Sequence, residues 1–281
     1  MASWVKWKDG GGPSVRGTQV FNPAQPWGPW TKVLGVVARC EGNHDTVVMY
    51  DGTGVTWGFM QWTFTSGRLQ KLLESFKSIP LEDGHHSLFD RVCKGTLDGP
   101  QLFSNFGFYI QGGKFVLSSG AILDPSDPTA KQHIVSTCMG VGSLAPNKSA
   151  LLLADVFSNM GKMPGAADAQ IAFAKAEFAR QLDFQRPPLG GKTIRQLLDA
   201  DNPKSWETPL VALFFNLWQN NPGAAYKLFL KSGADFDKAW QLTNQSTFGR
   251  WGWKNEPKSP RCLRIAQAIK EFYGTDLKFY K

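Results

Sequence analysis

The sequence predicts an α+β protein, mainly α, with a small β lobe near its N-terminal end. Two observations carry this. From residue 147 onward, apolar residues recur at helical spacing in one segment after another, with Gly, Pro or Asn in the gaps. Between residues 47 and 62 the pattern changes: β-branched and aromatic runs flank Asp51-Gly52-Thr53-Gly54, the composition of a hairpin turn. A chain of 281 residues with 42% hydrophobic content can bury one large core, or a core with a smaller appendage.

Residues 1–28 are rich in Gly, Pro and Trp and read as an extended N-terminal arm, which its aromatics press onto the body. A helix begins near Pro29, a residue tolerated in a first turn. Val33, Leu34, Val36, Val37 and Cys40 give it a buried stripe, and Glu41-Gly42-Asn43 ends it with Gly as the stop. Val47 to Tyr50 and Val55 to Trp62 form the two arms of the hairpin. Leu69, Leu72, Leu73 and Phe76 predict a helix from Ser66 to about Ser78. Residues 80–146 read as an insertion. It carries a second hairpin over 108–117 around Gly112-Gly113, and loop chemistry at Asp124-Pro125-Ser126-Asp127-Pro128. Seven helices follow: Lys148–Met160, Ala166–Phe184, Thr193–Ala200, Thr208–Gln219, Ala224–Ser232, Phe236–Gln241 and Pro260–Tyr273.

The formal net charge of +8 suits polyanionic partners. Lys and Arg are dispersed and no nucleic-acid-binding signature occurs, so nucleic acid is not the expected partner. The four cysteines, Cys40, Cys93, Cys138 and Cys262, form no CxxC pair, and the expectation is reduced, buried thiols. His85-His86 with Cys93 reads as a solvated loop rather than a metal site, so no metal or cofactor is expected. No Gly-x-Ser-x-Gly occurs, which leaves a nucleophile elbow unsupported. The N-terminal segment has no apolar signal core, and no run approaches a membrane span. The expectation is a monomer made in the cytoplasm without a signal peptide and without integral membrane association.

A Glu at the end of a mostly buried helix, followed by a hairpin, has a chemical use. Glycosidic cleavage needs a proton donor at the leaving oxygen and a second group that activates water or stabilises the oxocarbenium-like centre. Partial desolvation suits a carboxyl for the first task. Asp51 and Thr56 are the polar groups that the hairpin offers for the second. Each has a plainer reading: Glu41 as a helix end, Asp51 as the Asp of an Asp-Gly turn, Thr56 as a β-branched strand residue. An acid at a helix C-terminus opposes the helix dipole, which favours the functional reading of Glu41. His44 reads as facing water.

These residues resemble the phage-type lysozymes of the lysozyme superfamily. Thr56 follows Glu41 by fifteen residues, as in that family, and Gly58 completes its Thr-x-Gly context. Asp51 stands at ten, one residue beyond the family's position. The resemblance implies Glu41 as general acid, Asp51 as charge stabiliser or water-orienting base, and Thr56 as a water-positioning hydroxyl. Gly58-Phe59-Met60-Gln61 is similar to the Gly-Leu-Met-Gln motif of lytic transglycosylases and goose-type lysozymes, though Gly42 stands where that family usually has Ser after its Glu. This motif implies substrate contacts from Gly58, Met60 and Gln61, and the flanking Tyr50 and Trp62 are further candidate contacts; Gln61 and Trp62 also read as strand-end residues. The segment Ala212 to Trp218 with Asn216 resembles the endolysin helix that closes the far side of the cleft. Asn216 either touches substrate there or caps local backbone. Arg261-Cys262-Leu263-Arg264-Ile265 is similar to the last helices of those enzymes. The implied architecture is a lysozyme-like catalytic domain over 29–281, with a β-hairpin lobe and a helical lobe. The implied partner is bacterial peptidoglycan, reached after release or as part of a virion, and the implied reaction is cleavage of the β-1,4 bond between N-acetylmuramic acid and N-acetylglucosamine. Two rivals remain: a lytic transglycosylase acting on the same bond, and a non-catalytic wall-binding or virion structural protein.

Overall fold

The computed structural model describes residues 5–7, 13–25, 27–49, 54–93, 108–111, 114–117, 119–139, 148–183, 191–198, 208–245 and 259–280. Two short strands come first, β1 (Val5–Trp7) and β2 (Pro13–Val15). A 3-10 turn over Gly28–Trp30 leads directly into α1 (Thr31–Glu41). Next are β3 (Val47–Val48), β4 (Thr56–Trp57), β5 (Trp62–Thr63), α2 (Arg68–Ser75) with a 3-10 turn over Phe76–Ser78, and α3 (Leu88–Cys93). The hairpin β6 (Phe108–Gln111) and β7 (Lys114–Leu117) precedes α4 (Pro128–Met139). The remaining elements are helices: α5 (Lys148–Lys162), α6 (Ala166–Leu182), α7 (Ile194–Leu197), α8 (Pro209–Asn220), α9 (Pro222–Ser232), α10 (Phe236–Gln245) and α11 (Pro260–Tyr273). The protein is mainly helical with a small antiparallel sheet, the coarse class that the sequence predicts.

Contacts divide the chain into two compact units. One is Met1–Val20 with Gly42–Phe173, and the other is Phe21–Glu41 with Ala174–Lys281.

The first unit holds the five-stranded sheet, in the order β1-β2-β3-β4-β5. The N-terminal segment is extended because it belongs to this sheet: β2 pairs with β3, with Ser14 opposite Val48 and Val15 opposite Val47. Helix α5 packs on β2 and β3. Gly161 of α5 permits a backbone-to-backbone approach, since a Cβ there would lie 2.5 Å from the Asp45 Cα and 2.6 Å from the His44 carbonyl oxygen. The core is aromatic. Trp57 meets Phe76 and Phe157 with ring centroids 6.1 and 5.7 Å away, and Trp62 meets Phe59 and Phe173 at 5.5 and 5.8 Å. Burying each such ring contributes about 1.5–3 kcal/mol or more.

Two features of this unit depart from the sequence reading. The run Val55 to Trp62, expected as one returning strand, is broken by a turn in which the Gly58 carbonyl accepts from the Gln61 N–H at 3.0 Å. Gly58 has φ +83°, and a Cβ there would lie 2.6 Å from Gln170 Oε1, so glycine is required twice over. Helix α4 begins inside the stretch read as loop. Pro128 opens the helix, where a missing N–H costs nothing, and Asp127 Oδ1 accepts from the Thr129 N–H at 2.9 Å.

In the second unit α8 is the central element, buried without interruption from Val211 to Trp218 and packed by α1, α9, α10 and α11. Phe178 stacks on Phe215 with centroids 4.0 Å apart, and Trp30 closes on both at 5.7 and 5.8 Å. Helix α11 packs on α1 where Gly35 leaves room for the Phe272 ring; a Cβ at 35 would lie 2.3 Å from it. Ser259 Oγ caps α11 by accepting from the Cys262 N–H at 3.2 Å, and Gly274, left-handed at φ 68°, ends it.

Candidate functional site

Glu41 is the last residue of α1, and its side chain is 11% exposed. Asn220 Nδ2 donates to Glu41 Oε1 at 2.8 Å, and Arg261 Nη2 lies 3.4 Å from the same oxygen. Among the described residues none donates to Oε2. The two partners come from the end of α8 and the first turn of α11. Their spacings from Glu41, 179 and 220 residues, place them beyond any local pattern.

Arg261 is itself anchored, donating from Nη2 to the Asn216 carbonyl at 3.3 Å and to Asn216 Oδ1 at 3.4 Å. Asn216 is fully buried, because α8 is enclosed on all sides. The reading of Asn216 as a substrate contact is therefore corrected: it holds the arginine that pairs with Glu41. The residue one helical turn on, Asn220, is the exposed amide that reaches the carboxylate. Arg261 and Asn220 were not singled out from the sequence as site residues. The signals were the Arg-rich helix and the polar run Gln219-Asn220-Asn221-Pro222 that ends the apolar one.

Cys40, beside this cluster, is buried, and its thiol is pushed up to about 12, first by burial and then by the neighbouring Glu41 charge. It stays a neutral thiol and offers no nucleophile. Cys262 is likewise buried. Among the described residues no group of three or more His, Cys, Asp or Glu could hold a metal ion, and no helix is long and apolar enough to cross a membrane.

The first unit holds the other sequence candidates. Tyr50 and Asp51 lie outside the described residues. Thr56 sits in β4, 2% exposed, opposite Val48 and Thr63. Gly58 is buried, and Met60 and Trp62 are both fully buried. The reading of Met60 and Trp62 as sugar contacts is corrected, because their side chains supply the core under the sheet. Gln61 is part-exposed, with φ 51°, and its Nε2 donates back to the Gly58 carbonyl at 2.8 Å.

The turn that follows Glu41 differs most from expectation. His44 is 2% exposed rather than solvated. Its Nδ1 faces Gln170 Oε1 at 3.3 Å, and its ring meets Phe59 edge-on at 4.9 Å. Gln170 Nε2 donates to the His44 carbonyl at 2.8 Å, and its Oε1 accepts from the Phe59 N–H at 3.4 Å, so one amide ties the two turns together. Burial pushes the His44 imidazole down to about 4 from 6.5. The group is neutral when folded, and the unfolded chain regains the higher value. Between those two values the unfolded state binds more protons, so stability is complete above the unfolded value and falls as the pH drops towards the folded one. A loss of about 2 kcal/mol is expected from this group at about pH 5 relative to pH 7. Urea midpoints at the two pH values measure it, and the His44→Gln chain should lack that component.

Comparison with known proteins adds no relative: no family model, no curated protein and no solved structure matches this chain.

Proposed function

We propose that the chain is a peptidoglycan glycosidase, a muramidase that hydrolyses the β-1,4 bond between N-acetylmuramic acid and N-acetylglucosamine with Glu41 as its general acid. The observation that carries this reading is the setting of Glu41. A carboxyl at a buried helix end is held through one oxygen by Asn220 and Arg261 and, among the described residues, has no donor to the other oxygen. That is the arrangement a proton donor needs: fixed in place, partly shielded, with one oxygen available to a leaving group. The resemblance to phage-type lysozymes gives Asp51 the role of charge stabiliser or water-orienting base; Thr56, buried in β4, is not exposed for the water-positioning role the resemblance implies. The lysozyme-like fold, like the activity, is part of this proposal. The +8 charge supports encounter with an anionic cell wall, as an endolysin or virion-borne lysin requires. The test is zymography on purified sacculi with the wild-type chain and Glu41→Gln.

A second reading is a lytic transglycosylase on the same bond, supported by the resemblance of Gly58-Phe59-Met60-Gln61 to that family's motif. A transglycosylase needs no second carboxylate, because the substrate's own hydroxyl attacks. Mass spectrometry of the released sugars separates the two. Hydrolysis yields reducing muramic ends, and transglycosylation yields 1,6-anhydro ends lighter by one water. A muramidase should also lose most of its activity in Asp51→Asn, whereas a transglycosylase should keep it.

A further inference from the structure

We infer that Asn220 is a positioning residue for the Glu41 proton: it commits Oε1 as the accepting oxygen and leaves Oε2 as the oxygen that delivers the proton. The inference rests on the reading of Glu41 as general acid and adds to it the residue that sets its geometry.

A protonated carboxyl has one carbonyl oxygen and one hydroxyl, and the surrounding donors decide which is which. Oε1 faces Asn220 Nδ2 at 2.8 Å and Arg261 Nη2 at 3.4 Å. Guanidinium nitrogens are donors only, so a proton on Oε1 would point into donors. The proton therefore belongs on Oε2. Asn220 makes the shorter contact, and its amide orientation follows from the chemistry, because turning Oδ1 towards the carboxylate would set acceptor against acceptor.

The chain fixes Asn220 where it is needed. It is the last residue of α8, whose body is buried from Val211 to Trp218. Asn221 has left the helix at φ −150°, and its Oδ1 caps α9 by accepting from the Ala224 N–H at 3.0 Å. Pro222 opens α9 and cannot continue α8. The charged and titratable groups that the structure places against Glu41, among the described residues, are Arg261 from α11 and the neutral Cys40 thiol from α1, which also lies within the field of Arg264. Arg39, also on α1, is engaged by Glu271 at 2.7 Å. Asn220 is thus the uncharged donor in an otherwise cationic setting.

The experiment compares Asn220→Leu and Asn220→Asp with the wild-type chain on soluble glycan strands released from sacculi, measuring kcat, KM and the pH profile. Asn220 is exposed at a helix end, and circular dichroism of each variant checks that it folds. In Asn220→Leu, kcat should fall about tenfold with KM little changed, the loss of one hydrogen bond to a charged group. The alkaline limb of the pH profile should move up, since removing a donor from a carboxylate favours its protonated form. In Asn220→Asp the limb should move further, by about one pH unit or more, because a second carboxylate then shares the site. A limb that stays in place in both variants, with or without a loss of kcat, overturns the inference. Glu41→Gln separates the levels: if it is active, the general-acid reading falls first, whereas if it is inactive and the Asn220 variants are unshifted, only the role of Asn220 falls.

Discussion

Glu41→Gln is expected to lower the clearing of purified sacculi by about a thousandfold or more, the scale on which general acid catalysis contributes. The substitution is nearly isosteric. The amide oxygen can keep the place of Oε1 and accept from Asn220 Nδ2 and Arg261 Nη2, which now lie at 2.8 and 3.4 Å. What it cannot do is give a proton from the Oε2 position. The loss should therefore fall on turnover, and binding of the chain to sacculi, followed by co-sedimentation, should persist. A cost in stability is also expected. Arg261 is 9% exposed and would lose the charge opposite it, although the Asn216 acceptors remain. A loss of about 1–3 kcal/mol is the expected scale, below that of removing a partner outright. Denaturation of the variant measures this term and separates it from catalysis. Clearing at the wild-type rate would remove the enzymatic reading and favour the non-catalytic wall-binding protein.

Helix ends and strand starts were legible where the chemistry is local. The α11 bounds, Pro260 to Tyr273, follow from Ser-Pro at one end and Gly274 at the other, and the structure places them at the same residues. The end of α1 at Glu41 was equally local, set by the apolar stripe and the glycine that follows. The turn at Gly58 was not legible, because the group that forbids a side chain there is Gln170, supplied by a helix more than a hundred residues away. The same holds for Met60 and Trp62. A motif gives their order along the chain, but only packing against residues such as Phe173 decides that the Trp62 ring is core. The site divides in the same way. Glu41 could be read from its own segment, whereas Asn220 and Arg261 are its neighbours only through the packing of α8 and α11 on α1. The reading of Asn216 fell one helical turn short of the amide that touches the carboxylate. On a helix buried all round, sequence cannot say which of two amides faces outward.

Asp45→Ala is expected to destabilise the first unit strongly. No element of secondary structure contains this residue, yet its carboxylate is fully buried. Thr18 N–H donates to Oδ1 and Oδ2 at 2.7 and 2.9 Å, Gln19 N–H donates to Oδ1 at 2.8 Å, and the Thr18 hydroxyl donates to Oδ2 at 3.3 Å. Gly17, left-handed at φ +77°, lets the backbone press close, and a Cβ there would lie 2.4 Å from Asp45 Oδ1. Neighbouring residues complete the grip: His44 N–H donates to the Gln19 carbonyl at 2.9 Å, Asn43 Nδ2 to the Gly17 carbonyl at 3.1 Å, and Thr46 Oγ1 to the Arg16 carbonyl. Alanine would leave the Thr18 and Gln19 N–H groups without their acceptor. At about 1–3 kcal/mol for each orphaned donor, and with some relief from entering water, the expected loss is about 3 kcal/mol. Asp45→Asn should recover only part of it, since one oxygen survives but the amide sets an N–H against the N–H groups it replaces. Segment 16–19 leads directly out of β2, so the register of Ser14 and Val15 against β3 depends on the same grip. Hydrogen exchange at the β2–β3 pairing should therefore quicken in Asp45→Ala. A loss below about 1 kcal/mol, the scale of an ordinary surface substitution, together with unchanged exchange at β2, would mean that the N-terminal strands hold their place through pairing alone.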